Sequence, residues 1–346
     1  MKDPLQDLIQ AYHELNAAVV EELWEEPSAL EFMRYVAKNR PFVVRQAAID
    51  WRAVERWDAG YLRKEMAGKE VNVAVTPLGN ADAVVESPSG SKIFVEPFET
   101  SEPFDSFLDA VQASSSKGAN DTSNARYAQT QNDNLRNEYS SLYRDVPADI
   151  PFARIALSQP AEAINLWLGN DRSVTSLHKD NYENIYVQIR GQKQFVLMPP
   201  IEMPCVNEQL LGKGRYATTS EKETQARSDE ELIIERDANA EPVPVAIWDP
   251  DLPNQNPTPY SHLAQALRVT LQEGDLLYLP SLWYHKVSQS VGEEGFVCAV
   301  NYWYDMEFAG QHWVTSSLVR DVYWEEEMKV RYPDLDLDEE GSDEVD

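Results

Sequence analysis

Thr175-Ser-Leu-His178-Lys-Asp180-Asn-Tyr-Glu-Asn184 is the stretch on which the reading of this chain turns. In an extended strand, residues i and i+2 point to the same face. His178 and Asp180 can therefore both reach one cation. A third ligand has to come from elsewhere, and the best candidate is His285, in Leu279-Pro-Ser-Leu-Trp-Tyr-His285. His-x-Asp, a long gap, then His on a late strand is an order that a double-stranded β-helix brings together. One carboxylate and two imidazoles on one face of a metal, with other positions open, is the arrangement of non-haem Fe(II) oxygenases. Taken singly, each part has a plainer reading. An H-x-D pair is most often surface polarity, and His285 can equally be a core histidine bonded to a backbone carbonyl.

The surroundings of this stretch read as β-structure. Asn184–Arg190 and Lys193–Met198 read as two strands of a hairpin turned at Arg190-Gly191-Gln192. Ala163–Leu168, Ala266–Leu271, Asp275–Leu279, His285–Gln289 and Phe296–Trp303 read as further strands. Short strands with turns at intervals of about 8–12 residues predict a barrel or sandwich rather than a wound parallel sheet. The expected fold is mainly β, a jelly-roll double-stranded β-helix flanked by helices at both ends. The apolar spacing predicts helices over 5–23, over 28–38 with Ser28 as cap, over 61–66, over 104–111 and over 307–331, where Pro333 stops the last. The expected organisation is a helical and β support region over 1–150 and the catalytic barrel over 151–305. A polar, proline-rich insert occupies 206–262, a helical region 306–332, and a disordered acidic tail 333–346. The polar run 113–124 reads as a surface loop.

Composition narrows the function classes. The chain has 346 residues, 59 acidic and 30 basic, for a net charge of −29. Removing residues 334–346, which hold eight of the acids, still leaves −21, so the body itself is acidic. Such a surface repels nucleic acid and anionic membrane and attracts basic partners; solubility alone is the other reading. Two cysteines, Cys205 and Cys298, exclude a disulfide scaffold and fit a reducing compartment. The first residues carry no apolar signal region, and no apolar run approaches the roughly 20 residues of a membrane span. Cytoplasm or nucleus is the expected location.

An oxoacid co-substrate would need a cation for its far carboxylate. Lys193 is placed to supply it, because a buried lysine without an anionic ligand is costly. The alternative is a lysine ending a hairpin in solvent. Thr175 could add a hydroxyl, and Asn184 and Asn301 lie on strands flanking the pocket.

These residues carry a family resemblance. Val174-Thr-Ser-Leu-His178-Lys-Asp180-Asn-Tyr-Glu-Asn184-Ile-Tyr, Lys193, Leu277-Tyr-Leu-Pro-Ser-Leu-Trp-Tyr-His285 and Ala299-Val-Asn301-Tyr-Trp-Tyr-Asp-Met306 resemble the JmjC (jumonji-C) family of Fe(II)- and 2-oxoglutarate-dependent oxygenases. Val73–Val84 and Ala163–Gly169 extend the likeness beyond these stretches, so that it covers most of residues 5–310. The resemblance implies metal ligands at His178, Asp180 and His285. It implies 2-oxoglutarate contacts at Thr175, Lys193 and Asn184, with Tyr127 and Asn301 completing the pocket. Two positions depart from the pattern: Asn181 stands where histidine is expected, and Lys286 follows the last ligand where a second histidine is common.

The activity implied is O2-dependent hydroxylation coupled to decarboxylation of 2-oxoglutarate. Within the family the likeness is to the (3S)-lysyl hydroxylases, with a basic, lysine-containing protein such as a translation-associated GTPase as substrate class. Two alternatives stand beside it: a metal-dependent endopeptidase acting on methylated histone tails, and a non-catalytic acidic module that binds basic proteins. The aromatic helix 307–330, with the N-terminal helix, suggests a homodimer interface; intramolecular packing is the other reading.

Overall fold

The computed structural model describes residues 3–86, 90–117, 123–218 and 231–331. Its centre is a pair of facing sheets. The first runs in the order Glu21–Leu23, Phe42–Val44, Leu276–Leu279, Tyr182–Arg190, Val297–Asp305, Ala163–Gly169. The second runs Leu267–Leu271, Gln192–Met198, Tyr284–Ser290, Thr175–His178. Along the chain, the strands from Ala163 to Met198 alternate between the two sheets, and so do those from Leu267 to Asp305. Two such winding halves, paired antiparallel, make the expected double-stranded β-helix.

Alternation along the strands explains why they read as apolar throughout. Val300, Tyr302 and Tyr304 face the core between sheet and helices, whereas Ala299 and Trp303 face the barrel interior. Ile185, Val187, Leu276 and Tyr278 lie on the outer face in the same way, with Tyr186, Leu277 and Leu279 on the inner. A sheet buried on both faces needs apolar residues at nearly every position. Of the buried polar residues on these strands, Asn165, Asn184, Gln188 and Asn301 fall in the inward phase, whereas Glu183 lies in the outward phase and accepts from Tyr278 Oη and Ser281 Oγ.

The outer face is covered by N-terminal elements. Helix Ala29–Lys38 begins at Ser28, whose hydroxyl accepts from Glu31 N while the Glu31 carboxylate accepts from Ser28 N. Its Phe32 is fully buried and meets Phe42, Phe152 and Tyr278 edge-on at ring distances of 6.1, 5.1 and 4.8 Å. Strand Glu70–Thr76 pairs with Phe98–Pro103 and Ala125–Tyr127 in a separate three-stranded sheet. This sheet delivers Tyr127 to the barrel mouth.

Several expectations need correction. Residues 182–198 do not form a hairpin: Tyr182–Arg190 pairs only within the first sheet and Gln192–Met198 only within the second. Gly191 turns the corner between sheets in the left-handed region, at φ +67°, and a Cβ there would lie 2.8 Å from the Ser290 carbonyl oxygen. The first helix ends at Leu15, and Glu21–Leu23 is a strand. The helix expected over 104–111 continues to Lys117, into the stretch read as a loop. The described residues of the polar stretch 206–262 carry four strands, Glu208–Leu211, Lys213–Thr218, Leu232–Arg236 and Val243–Ala246. One of them, Lys213–Thr218, pairs parallel with Lys92–Glu96 far back in the chain. The last helix is Gln311–Arg331. The acidic tail lies outside the described residues.

Candidate metal and co-substrate site

His178 ends strand Thr175–His178, and His285 sits directly opposite on the antiparallel strand Tyr284–Ser290. That register places the two rings 4.0 Å apart, centre to centre. Asp180 lies just past the strand end, where its carbonyl accepts from Leu282 N at 2.8 Å. Its Oδ2 is 3.9 Å from His178 Nε2 and 3.7 Å from His285 Nε2. Ligand atoms of the three residues all lie within 4.8 Å of one another, close enough to share one ion.

Backbone bonds fix the imidazoles for that task. His178 Nδ1 lies 2.8 Å from the Ser176 carbonyl oxygen, and His285 Nδ1 lies 3.0 Å from that of Trp283. A carbonyl only accepts, so each Nδ1 carries the proton and each Nε2 presents a lone pair toward Asp180. Both readings of His285 therefore hold at once: the backbone bond orients the ring, and the other nitrogen is free to ligate. Burial, with His178 alongside, pushes the His285 imidazole down to about 4, which keeps it neutral.

Behind the triad is a small cavity lined by Tyr127, Thr175, Asn184, Tyr186, Lys193 and Asn301, among others. Lys193 is 2% exposed and points into it. Its Nζ donates to Tyr127 Oη at 2.9 Å and lies over the Tyr127 and Tyr186 rings at 5.4 and 5.5 Å. No carboxylate pairs with it among the described residues. Burial pushes the amine down to about 7, a penalty that an incoming anion would relieve. Lys193 is thus a pocket residue and not a hairpin end in solvent, although the strand that carries it pairs differently from expectation.

The two asparagines form a relay. Trp167 Nε1 donates to Asn301 Oδ1 at 3.0 Å, and Asn301 Nδ2 donates to Asn184 Oδ1 at 3.2 Å. Both amide atoms of Asn301 are thereby engaged, and Asn301 orients Asn184. The indole Nε1 of Trp303, also on the cavity wall, is buried without a partner among the described residues. An orphaned indole donor and an unpaired ammonium are the features expected of a cavity built for an anionic, acceptor-rich guest. The departures are harmless to the triad: Lys286 pairs outside the barrel with Asp249 and Asp251, both at 2.7 Å, and Asn181 lines the outer cleft.

That cleft, of ≈ 720 Å³, opens from His178 and Asp180 and is walled by residues such as Tyr182, Phe308, Trp313 and Arg320. Its wall draws on the C-terminal helix and on the 206–262 stretch, through Glu208, Lys213 and Val243–Ala246. Asp82, Gln129, Gln131, Trp167 and Trp303 also line the cavity, and sequence reasoning gave none of them a role. Asp82, Trp167 and Trp303 lie within quoted stretches, but no spacing signal marks them as pocket residues.

Comparison with known proteins agrees with this geometry. Residues 27–310 match the family model described as a cupin-like domain. The chain is 39% identical over 283 residues to the human "Bifunctional peptidase and (3S)-lysyl hydroxylase JMJD7", covering 82% of this chain and 83% of that protein. It is 33% identical over 297 residues to "JmjC domain-containing protein E" of Dictyostelium discoideum, covering 82% and 83%. It is 33% identical over 323 residues to "Lysine-specific demethylase JMJ32" of Arabidopsis thaliana, covering 89% and 88%. The barrel, the facing histidines and these extended identities lead to one conclusion: the chain belongs to the cupin-like JmjC family.

Proposed function

We propose that this chain is an Fe(II)- and 2-oxoglutarate-dependent protein hydroxylase that oxidises a lysine side chain at C3, giving the (3S) product, in a protein or peptide substrate. The observation that carries this reading is Lys193. A buried ammonium with no carboxylate partner, in the cavity behind two histidines and an aspartate, needs an anion that also reaches the metal. 2-Oxoglutarate has that length and charge. His178, Asp180 and His285 would hold iron; Lys193, Tyr127, Thr175 and Asn184 would receive the oxoacid. When bound, iron and oxoacid supply the oxidising chemistry from O2. The chain's own work is to orient the ligands through the Ser176 and Trp283 carbonyls, keep the cavity dry and seat the target in the cleft.

The choice of lysine rests on the human relative's name. That name also carries a peptidase activity, and one experiment separates the two. Purified protein is incubated with Fe(II), 2-oxoglutarate and a panel of lysine peptides, then succinate and peptide masses are read. Hydroxylation adds one oxygen to an intact peptide, whereas a peptidase leaves two shorter products with no succinate. The absence of both succinate and oxidised peptide across the panel would sink the hydroxylase reading.

Three finer points belong to the same proposal. A basic segment, as in a translation-associated GTPase, suits a body with a net charge of −29. Turnover on such a substrate should then fall as salt rises, and a flat profile counts against electrostatic steering. A homodimer through the terminal helices is supported by exposed Leu8 and Leu15 on the first helix and Val314 and Leu318 on the last; light scattering on the purified protein decides it. A cytoplasmic or nuclear setting suits Cys205 and Cys298, both buried and free.

A further inference from the structure

Asp82 lines both the inner cavity and the outer cleft, so it stands where the two meet. Its Oδ2 accepts from Gln129 Nε2 at 3.2 Å, and no lysine or arginine pairs with it among the described residues. Burial raises its proton affinity most, and Glu96 and Glu99 add to that; Gln129 and His178 act against it. A half-buried carboxylate near other carboxylates is costly until a cation arrives.

Its backbone is equally particular. Asp82 sits at φ 53°, in the left-handed region that an aspartate tolerates without favouring. The loop before it is clamped to the segment leading into Thr175 and His178. The Gly79 carbonyl accepts from Val174 N at 2.9 Å. Gly79 itself lies at φ +78°, and a Cβ there would come within 1.9 Å of the Arg172 carbonyl oxygen. Only glycine permits so close an approach. The clamp holds the loop that leads to Asp82 against the segment that carries Thr175, His178 and Asp180.

We infer that Asp82 is a specificity-determining residue: its carboxylate receives the ammonium group of the substrate lysine while the carbon to be oxidised faces the triad. The inference rests on the lysyl hydroxylase reading above and supplies the residue that makes it selective. Asp180 is committed to the metal, and Glu208 is already paired with Lys179 at 2.5 Å. Asp305 lines the cleft but not the cavity, so among the described residues Asp82 is the carboxylate besides Asp180 that lines both. Lysine's aliphatic stem lets its charged end reach a group set off to one side of the reacting carbon.

A double-mutant cycle tests this. Lysine peptides found to be substrates are each paired with a copy carrying norleucine in place of the target lysine. Binding to the full-length protein, loaded with Mn(II) and 2-oxoglutarate, is read by fluorescence anisotropy for wild type and Asp82→Asn. The norleucine swap should weaken wild-type binding by about tenfold or more, and Asp82→Asn should bind both peptides alike. Asp82→Glu should recover part of the preference. An Asp82→Asn protein that keeps the preference overturns the inference, and so does one that loses both peptides equally, which is the mark of a structural role. A second measurement needs no variant: n-butylamine should displace the lysine peptide from wild type at concentrations where n-butanol does not. Equal displacement by the two also overturns it. If wild type oxidises no lysine peptide, the hydroxylase reading falls and takes this inference with it. If wild type oxidises lysine and Asp82→Asn remains equally selective, only this inference falls.

Discussion

Lys193→Met keeps an unbranched side chain of similar reach and removes the charge. Its two consequences run in opposite directions. Burial moves the Lys193 amine from 10.5 down to about 7, which corresponds to on the order of 4–5 kcal/mol of lost solvation in the empty protein. The folded protein thus holds this proton less tightly than the unfolded chain does. The penalty is complete below pH 7, shrinks between about 7 and 10.5, and vanishes above. The empty wild type should therefore gain stability as pH rises through that window, relative to Lys193→Met. At pH 7 the variant should be at least as stable as wild type. Co-substrate binding should suffer instead: losing one partner of a desolvated charge pair costs about 2–5 kcal/mol. At about 1.4 kcal/mol per factor of ten, that is a loss of roughly 30-fold to several thousandfold in affinity for 2-oxoglutarate. The assays are thermal unfolding of both metal-free proteins from pH 7 to 10, and calorimetric titration of 2-oxoglutarate into both Mn(II)-loaded proteins. The reasoning fails if the variant binds 2-oxoglutarate within about threefold of wild type. It fails equally if the variant is several kcal/mol less stable at pH 7.

Further outcomes follow from the same geometry. Asp180→Ala should weaken Mn(II) binding by at least ~10-fold, because two imidazoles remain of three ligands; calorimetry reads this, and unchanged affinity would remove Asp180 from the site. Tyr127→Phe deletes the phenol that accepts from Lys193 Nζ; it should weaken 2-oxoglutarate by about 2- to 10-fold while leaving Mn(II) affinity intact. Phe32→Ala should cost about 3–5 kcal/mol of stability in chemical denaturation, since three rings pack on that fully buried side chain; a loss below 1 kcal/mol would mean the helical layer is not needed to hold the outer face of the first sheet.

Much of the candidate site was legible in the sequence because local geometry carries it. A two-residue spacing keeps His178 and Asp180 close together, although the strand ends at His178 and Asp180 reaches the site from just beyond it, held by the Leu282 N bond to its carbonyl. The apolar runs at 163–168, 275–279 and 296–303 announced strands, and Ser28 announced the start of its helix. Pairing partners were not legible. A hairpin and a corner between sheets need the same short turn and a glycine, so Arg190-Gly191-Gln192 looked like the first and proved to be the second. The stretch 206–262 shows no clear pattern because its described strands are only four to six residues long, and one of them finds its partner at Lys92–Glu96.

The chain by itself determined the chemistry at hand: two imidazoles, a carboxylate and a lysine of suitable kind, an acidic body, and strands numerous enough for a barrel. Tertiary structure alone decided that His285 lies opposite His178, that Lys193 is buried with no carboxylate partner among the described residues, and that Asp82 stands between cavity and cleft. Residue type and short-range spacing are properties of neighbouring positions. Register, desolvation and the convergence of distant loops arise only when the two sheets close on one another.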